Sequence, residues 1–205
     1  GHRIGKERYR REVSRLRDDL LAAQYRLLER AEFPLLILLH GVDGGERSET
    51  MNLLSEWLDP RHLRAEAFDF GSGDGGRPEM WRFWQVLPPR GRIGLFFGSW
   101  YTQPIEERVR HALGREGFER RLERIRHFER MLVAEGALVL KLWFHLSKTT
   151  QAERLQQLAD DPLTAWRVTP DDRRRQHHYD RYVRIAAETL RETSTGEAPW
   201  HVIDG

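Results

Sequence analysis

The residues with the clearest chemical potential occupy positions 41–48: Gly41, Val42, Asp43, Gly44, Gly45, Glu46, Arg47 and Ser48. Five aliphatic residues at 35–39 lead into them through His40. A buried strand entering a glycine-rich turn and then a helix is an arrangement that cradles phosphate on backbone N–H groups. The triphosphate-binding spelling of that turn is G-x-x-x-x-G-K-[ST]. Gly41 and Ser48 fill the first glycine and the hydroxyl position, whereas Glu46 stands at the second glycine and Arg47 at the lysine. Glycine serves at that second position because the backbone must approach the phosphate closely. Glu46 instead puts a side chain and a negative charge at the helix end that favours anions. Arg47 keeps a positive charge, but a planar guanidinium is no simple exchange for an ammonium group. The expectation is a retained but degenerate phosphate loop. Gly41, Gly44, Gly45 and Ser48 are its phosphate-binding candidates, and Asp43 and Arg47 its catalytic ones. A plainer alternative leaves the turn as a fold relic whose acids cap the helix dipole. Asp43 also reads two ways, as a carboxylate orienting a metal or a phosphate, or as a turn residue accepting backbone N–H bonds.

Magnesium-dependent phosphoryl transfer needs a further carboxylate at a neighbouring strand end. The third predicted strand ends Phe97-Gly98 without one. Asp69, after the second, is the substitute metal candidate alongside Asp43, unless it simply faces solvent. Arg61, Arg77 and Arg82 follow the first loop helix and could line the same cleft. Arg154, Arg167 and the run Arg173-Arg174-Arg175 lie where a helical flap could close over phosphates. On a helix such arginines are usually solvated or paired with Asp or Glu, and that reading stands beside the flap. The histidines show no zinc-ligand spacing, and without cysteine a metal cluster is not expected. Trp81, Trp84, Trp100, Trp143, Trp166 and Trp200 read as packing residues rather than nucleobase platforms.

The elements that must position these groups follow from periodicity. Residues 7–32 carry apolar positions at helical spacing in a charged background, closed by Phe33-Pro34. Strands are expected at 35–40, 65–70, 93–97, 137–146 and 200–203. Helices are expected at 47–58, 79–86, 104–111, 118–134 and 148–158. A final long helix, capped by Asp171-Asp172, ends near 190. This alternation gives a three-layer α/β/α sandwich with a mostly parallel sheet, P-loop kinase-like, with a helical lid. The expected division is one domain over 1–205. Within it, 1–34 is an N-terminal helix, 35–147 the core, 148–175 a lid region, and 176–205 the last helix and strand.

A chain of 205 residues can bury a sizeable core. Its 34 basic and 32 acidic residues leave a net charge of only +2, which argues against nucleic acid as a partner. No apolar run approaches membrane-spanning length, so no membrane partner is expected. The absence of cysteine suits a cytoplasmic setting. Gly1-His2 reads as a tag remnant, and the end at Gly205 as that of an excised domain.

Several words, in their order and spacing, resemble the family-2 polyphosphate kinases. They are GVDGGERSET from Gly41, LDPR from Leu58, LPPRGRI from Leu87, SWY from Ser99, HFERML from His127 and KLWFHLSKTTQAERL from Lys141. DPLTAWRVTPDD from Asp161 and TGEAPWHVI from Thr195 complete them. The resemblance implies a P-loop fold that moves phosphate between polyphosphate and nucleotides. An active member would read G-x-D-x-x-G-K-G in the first loop; Gly41 and Asp43 match, and Glu46, Arg47 and Ser48 do not. Phe97-Gly98 stands for an Asp-Arg pair and Thr102-Gln103 for Asn-Arg. Arg82, Arg154 and Asp171 match, Leu158 replaces an arginine, and Arg167 replaces a lysine.

The family includes fused tandems, polyphosphate:AMP phosphotransferases, in which the C-terminal half is catalytic and the N-terminal half degenerate. This chain resembles that N-terminal half. The resemblance then implies no cofactor in this domain, magnesium in the parent enzyme, and a C-terminal catalytic domain as partner. Polyphosphate, AMP and a second copy of the chain are further partner candidates. Two other readings stay open: an active transferase using Arg47 for the lysine, and a binding module without transfer.

Overall fold

The computed structural model describes residues 5–42, 46–68, 70–71 and 76–204, and leaves the side chains of Glu46, Arg167 and Asp171 aside. The chain runs α1 (Lys6–Arg30), β1 (Leu35–Gly41), α2 (Glu46–Trp57), β2 (Leu63–Ala67), α3 (Trp81–Trp84), β3 (Ile93–Phe97) and α4 (Thr102–Val109). It continues through α5 (Arg115–Ala134), β4 (Leu138–His145), α6 (Lys148–Asp160), α7 (Pro170–His177), α8 (Tyr179–Thr193) and β5 (Trp200–Asp204). Short 3-10 turns lie at Pro60–His62 and Ala165–Arg167.

The five strands form one sheet in the order β2-β3-β1-β4-β5, with every neighbouring pair parallel. Parallel pairing requires crossovers, and the helices supply them. The unbroken aliphatic run of β1 reflects burial on both faces. Leu36 and Leu38 join Ile105, Leu122 and Ile185 from α4, α5 and α8. Ile37 and Leu39 face the other way, onto Leu20 and Leu27 of α1 and Met51 and Leu54 of α2. The expected three-layer sandwich is therefore present. Among the described residues, no helix is long and apolar enough to cross a membrane.

One polar cluster is sealed inside the layer of α4, α5 and α8. The Lys141 ammonium on β4 donates to Glu129 Oε2 of α5 at 2.7 Å and to the Thr193 carbonyl at 2.8 Å. Glu129 Oε1 also accepts from the Tyr101 hydroxyl at 2.7 Å and from Trp100 Nε1 at 3.0 Å. Burial pushes the lysine amine below its ordinary value, while Glu129 pulls it back. Burial and the Glu129 charge together push the Tyr101 hydroxyl well up.

Several local expectations shift. The second strand is Leu63–Ala67 rather than 65–70, and Asp69 lies outside the described residues. The aromatic helix expected at 79–86 contracts to Trp81–Trp84. The expected long final helix is two, α7 and α8, meeting at His178. The cap of α7 is Thr169, whose hydroxyl accepts from Asp172 N–H while the Asp172 carboxylate accepts from Thr169 N–H. Thr169 wins the cap position because Pro170 is pre-organised for the first helical residue. Trp100 and Trp143 are core residues, as expected, whereas Trp81, Trp84 and Trp166 are exposed at 42%, 44% and 79%.

Candidate functional site

Strands β1 and β3 are neighbours, yet α2 returns over one face of the sheet and α4 and α5 over the other. Adjacent strands whose following helices part in this way leave a crevice at their C-terminal ends, the usual ligand position in open α/β sheets. A cavity of about 90 Å³ occupies that crevice. Its lining includes His40 from the end of β1, Phe97 and Gly98 from the end of β3, Arg47 of α2, Glu106 of α4 and Arg175 of α7.

His40 is buried and stacks on Trp143, with ring centroids 5.6 Å apart and planes inclined by 10°. Its Nδ1 accepts from Gly41 N–H at 3.1 Å, which places the proton of the neutral ring on Nε2, facing Thr102 Oγ1 at 3.3 Å. Burial, then the charges of Arg47 and Arg175, lower its pKa to about 3. The histidine stays neutral chiefly because it is out of water, and the Arg47 and Arg175 charges add to that.

The Arg47 guanidinium carbon lies 4.9 Å from the centroid of the Phe97 ring. The cation at the loop-lysine position thus rests on an aromatic face at the position where the resemblance expects a carboxylate. Glu106, 5% exposed, is the acid among the described lining residues, and it faces two arginines. Its carboxylate lies 3.6 Å from Arg175 Nη1 and 3.4 Å from Arg110 Nε. The Tyr182 hydroxyl of α8 donates to the Gly41 carbonyl at 3.1 Å.

Two glycines here answer to packing. Gly41 has φ +146, and a Cβ on it would sit 2.2 Å from the Phe144 carbonyl oxygen of the adjoining strand. Gly98 has φ +75, and its Cβ would lie 2.6 Å from the Phe68 carbonyl oxygen and 2.9 Å from Thr102 Oγ1. The backbone as folded therefore has no room at 98 for the arginine that the resemblance expects.

The structure gathers some of the sequence candidates and separates others. Gly41, Arg47 and Ser48 sit where β1 passes into α2, with Ser48 half-buried in the first helical turn. Arg82 lies over the Phe68 and Phe83 rings at 5.8 and 4.8 Å, so it borders the cavity wall through Phe68. Arg154 is half-buried on α6 and is not part of the described cavity lining. Arg61 belongs elsewhere. It precedes β2, whose first residue pairs with the start of β3, so it stands one strand length, ~16 Å, from the crevice end. There it binds Asp59 at 2.6 Å and Tyr25 at 3.3 Å, which raises its own pKa and lowers that of Asp59. Helix α2 carries the chain from one end of the sheet to the other, so closeness in sequence to the loop does not bring Arg61 near it. Asp43, Gly44, Gly45 and Asp69, and the Arg167 side chain, lie outside the described residues.

Sequence reasoning did not single out His40, Glu106 or Tyr182, and it met Thr102 only as a departure from the family's Asn-Arg pair. His40 alone carried a local signal, as the one polar residue ending an aliphatic run. Arg175 was one of five lid arginines, and only the path of α7 selects it.

The described lining does not fit Mg²⁺. That ion takes oxygen ligands, mostly carboxylate and water, and here the carboxylate of Glu106 is engaged by guanidinium groups. No cluster of three or more metal-ligating side chains occurs among the described residues. What the arrangement can do is attract a small oxyanion to two guanidinium groups beside a neutral imidazole.

A class of protein emerges from these features: a P-loop kinase-like α/β sandwich with a crevice at the C-terminal ends of β1 and β3. The family model for polyphosphate kinase 2 matches residues 3–205, and the chain belongs to that family. It is 43% identical over its whole length to a polyphosphate:AMP phosphotransferase of Pseudomonas aeruginosa. It is 32% identical, over 86% of its length, to an AMP/ADP-polyphosphate phosphotransferase of Meiothermus ruber. The structure of polyphosphate kinase 2 from Arthrobacter aurescens superposes with a TM-score of 0.92 at 25% identity, covering 99% of this chain and 74% of that one. The chain spans 42% of the Pseudomonas relative and 67% of the Meiothermus one.

Proposed function

We propose that this chain is a phosphate-holding domain of a polyphosphate:AMP phosphotransferase, itself degenerate in catalysis and working beside a catalytic domain of the same polypeptide. The contact of Arg47 with Phe97 carries this reading. Phosphoryl transfer needs a cation between phosphates and a carboxylate-held metal opposite, and here the cation lies on an aromatic ring. The 90 Å³ cavity agrees in size, because pockets for drug-sized ligands run to about 300–1,000 Å³. A terminal phosphate group suits such a space; a nucleotide does not. The names of the relatives supply polyphosphate and AMP as the substrates of the whole protein. Magnesium belongs, in this reading, to the catalytic domain, and the cysteine-free composition suits a cytoplasmic setting.

The test is an assay of ADP formation from polyphosphate and AMP with Mg²⁺, run on this chain, together with calorimetry of polyphosphate binding. The expected result is no turnover, with measurable binding that Arg47→Ala and Arg175→Ala each weaken. Combined Glu46→Gly, Arg47→Lys and Phe97→Asp should raise affinity in the presence of Mg²⁺. ADP formation by the unaltered chain would overturn the degenerate reading in favour of an enzyme that uses Arg47 for the lysine.

A further inference from the structure

Helix α8 opens with Tyr179, Asp180, Arg181 and Tyr182, and each of them binds a different element. The Tyr179 hydroxyl donates to the Leu146 carbonyl, just past β4, at 2.6 Å. Asp180 pairs with Lys148, the first residue of α6. The Arg181 guanidinium donates to the Arg108 and Val109 carbonyls in the last turn of α4, at 2.7 and 2.8 Å. Those carbonyls lack partners within their own helix, and a cation there also suits the helix dipole. The Tyr182 hydroxyl donates to the Gly41 carbonyl, where β1 ends.

Two of these contacts reach the walls of the crevice. Helix α4 supplies Thr102, Ile105 and Glu106 to its lining, and β1 hands the chain to the loop ahead of Arg47. The peptide joining Gly41 to Val42 is planar, so its C=O and N–H point in opposite directions. Tyr182 of α8 holds the C=O, and the Phe144 carbonyl of β4 accepts from the Val42 N–H at 3.0 Å. The direction in which the chain leaves β1 is thereby fixed from both sides. Tyr182 is itself braced: it is buried, and its ring stacks on Trp143 with centroids 6.1 Å apart and planes inclined by 25°. Helix α7, which meets α8 at His178, brings Arg175 into the same crevice.

We propose that Arg181 and Tyr182 are positioning residues for the crevice. Successive residues of a helix point about 100° apart, so the pair reaches two walls at once. Together they hold α4 and the start of the glycine loop at a set separation, and so fix where Arg47 stands relative to Arg175. This clamp serves the phosphate-holding role proposed above, yet it acts with or without a ligand.

Three measurements test it: amide hydrogen exchange for the clamp, urea unfolding for global stability, and calorimetry for polyphosphate affinity. Tyr182→Phe removes the hydroxyl and keeps the ring. It should speed exchange at Gly41 and Val42 about tenfold relative to β4 and α5, and weaken polyphosphate binding by about as much. Arg181→Met should loosen the amides of α4 and weaken binding too, and Arg181→Lys, still able to donate to one carbonyl, should recover part of the loss. With Arg47→Ala in place, Tyr182→Phe should cost little further affinity, because its effect passes through Arg47. Exchange at Gly41 and Val42 that rises no more than in β4 and α5 would overturn the proposal. So would undiminished polyphosphate binding by Tyr182→Phe, or an equal loss with and without Arg47. If the unaltered chain bound no polyphosphate while the local rise in exchange was present, the phosphate reading would fail and the clamp would stand.

Discussion

Two polar clusters lie on either side of β1's C-terminal half, and they differ in how their charges are balanced. Around Lys141 and Glu129 each buried charge meets its opposite, and the remaining lone pairs and protons are taken by Tyr101, Trp100 and the Thr193 carbonyl. In the crevice, two guanidinium groups and a neutral imidazole converge on a space where the one described acid is shared between arginines. The first cluster is a closed structural joint; in the second, Arg175 is also paired with Asp172 at 2.8 Å, and Arg47 lies over the Phe97 ring. Trp100 and Tyr101 fall in SWY, Glu129 in HFERML and Lys141 in KLWFHL, so the words that carry the family resemblance build the joint. The departures from the family pattern, Arg47, Phe97 and Gly98, meet in the crevice.

The largest expected effect breaks the sealed cluster. Lys141→Met alone leaves Glu129 charged and buried and should cost about 3–5 kcal/mol in urea unfolding. Adding Glu129→Leu should recover most of that loss, less what Tyr101 and Trp100 forfeit as donors. A double variant as unstable as the single would mean that the joint's value lies in more than balanced charge.

Next is Gly41→Ala, which sets a methyl against the Phe144 carbonyl and should cost about 1–3 kcal/mol by the same measurement. A cost that appears only in polyphosphate binding, with stability unchanged, would return Gly41 to the phosphate loop.

His40 gives a pH dependence with a definite sign. Its folded pKa lies near 3, below the unfolded value of about 6.5. Between those values the unfolded chain binds the extra proton, so stability rises with pH across the window and falls as the solution is acidified. The slope should approach about 1.4 kcal/mol per pH unit. Unfolding of His40→Asn from pH 7 to pH 4 should show a correspondingly flatter loss.

The smallest effect is that of Arg47→Ala on stability, about 0.5–1 kcal/mol for the lost contact with Phe97. Its effect on polyphosphate affinity should be the larger one. That separation between folding and binding is what distinguishes the crevice from the joint.

Much of the framework was legible because it rests on local patterns. The aliphatic run at 35–39, the helical spacing of 118–134 and the proline and glycine stops define elements whose period dictates burial on one face or two. The loop at 41–48 could likewise be recognised, with its departures, from spacing alone. Element boundaries moved where capping chemistry competed, as at Thr169 and Pro170.

The sequence by itself determined most of the strands and helices, and that the glycine loop reads Glu46-Arg47 where the triphosphate-binding spelling has Gly-Lys. Only the tertiary structure decided which charges share a site. Sheet order and helix path, not chain distance, brought Arg175 into the crevice and sent Arg61 to the far end of the sheet, and they paired Lys141 with Glu129 out of water. Charge and burial at a point are sums over elements distant in sequence, so a side chain's partners and its protonation follow from the assembled fold.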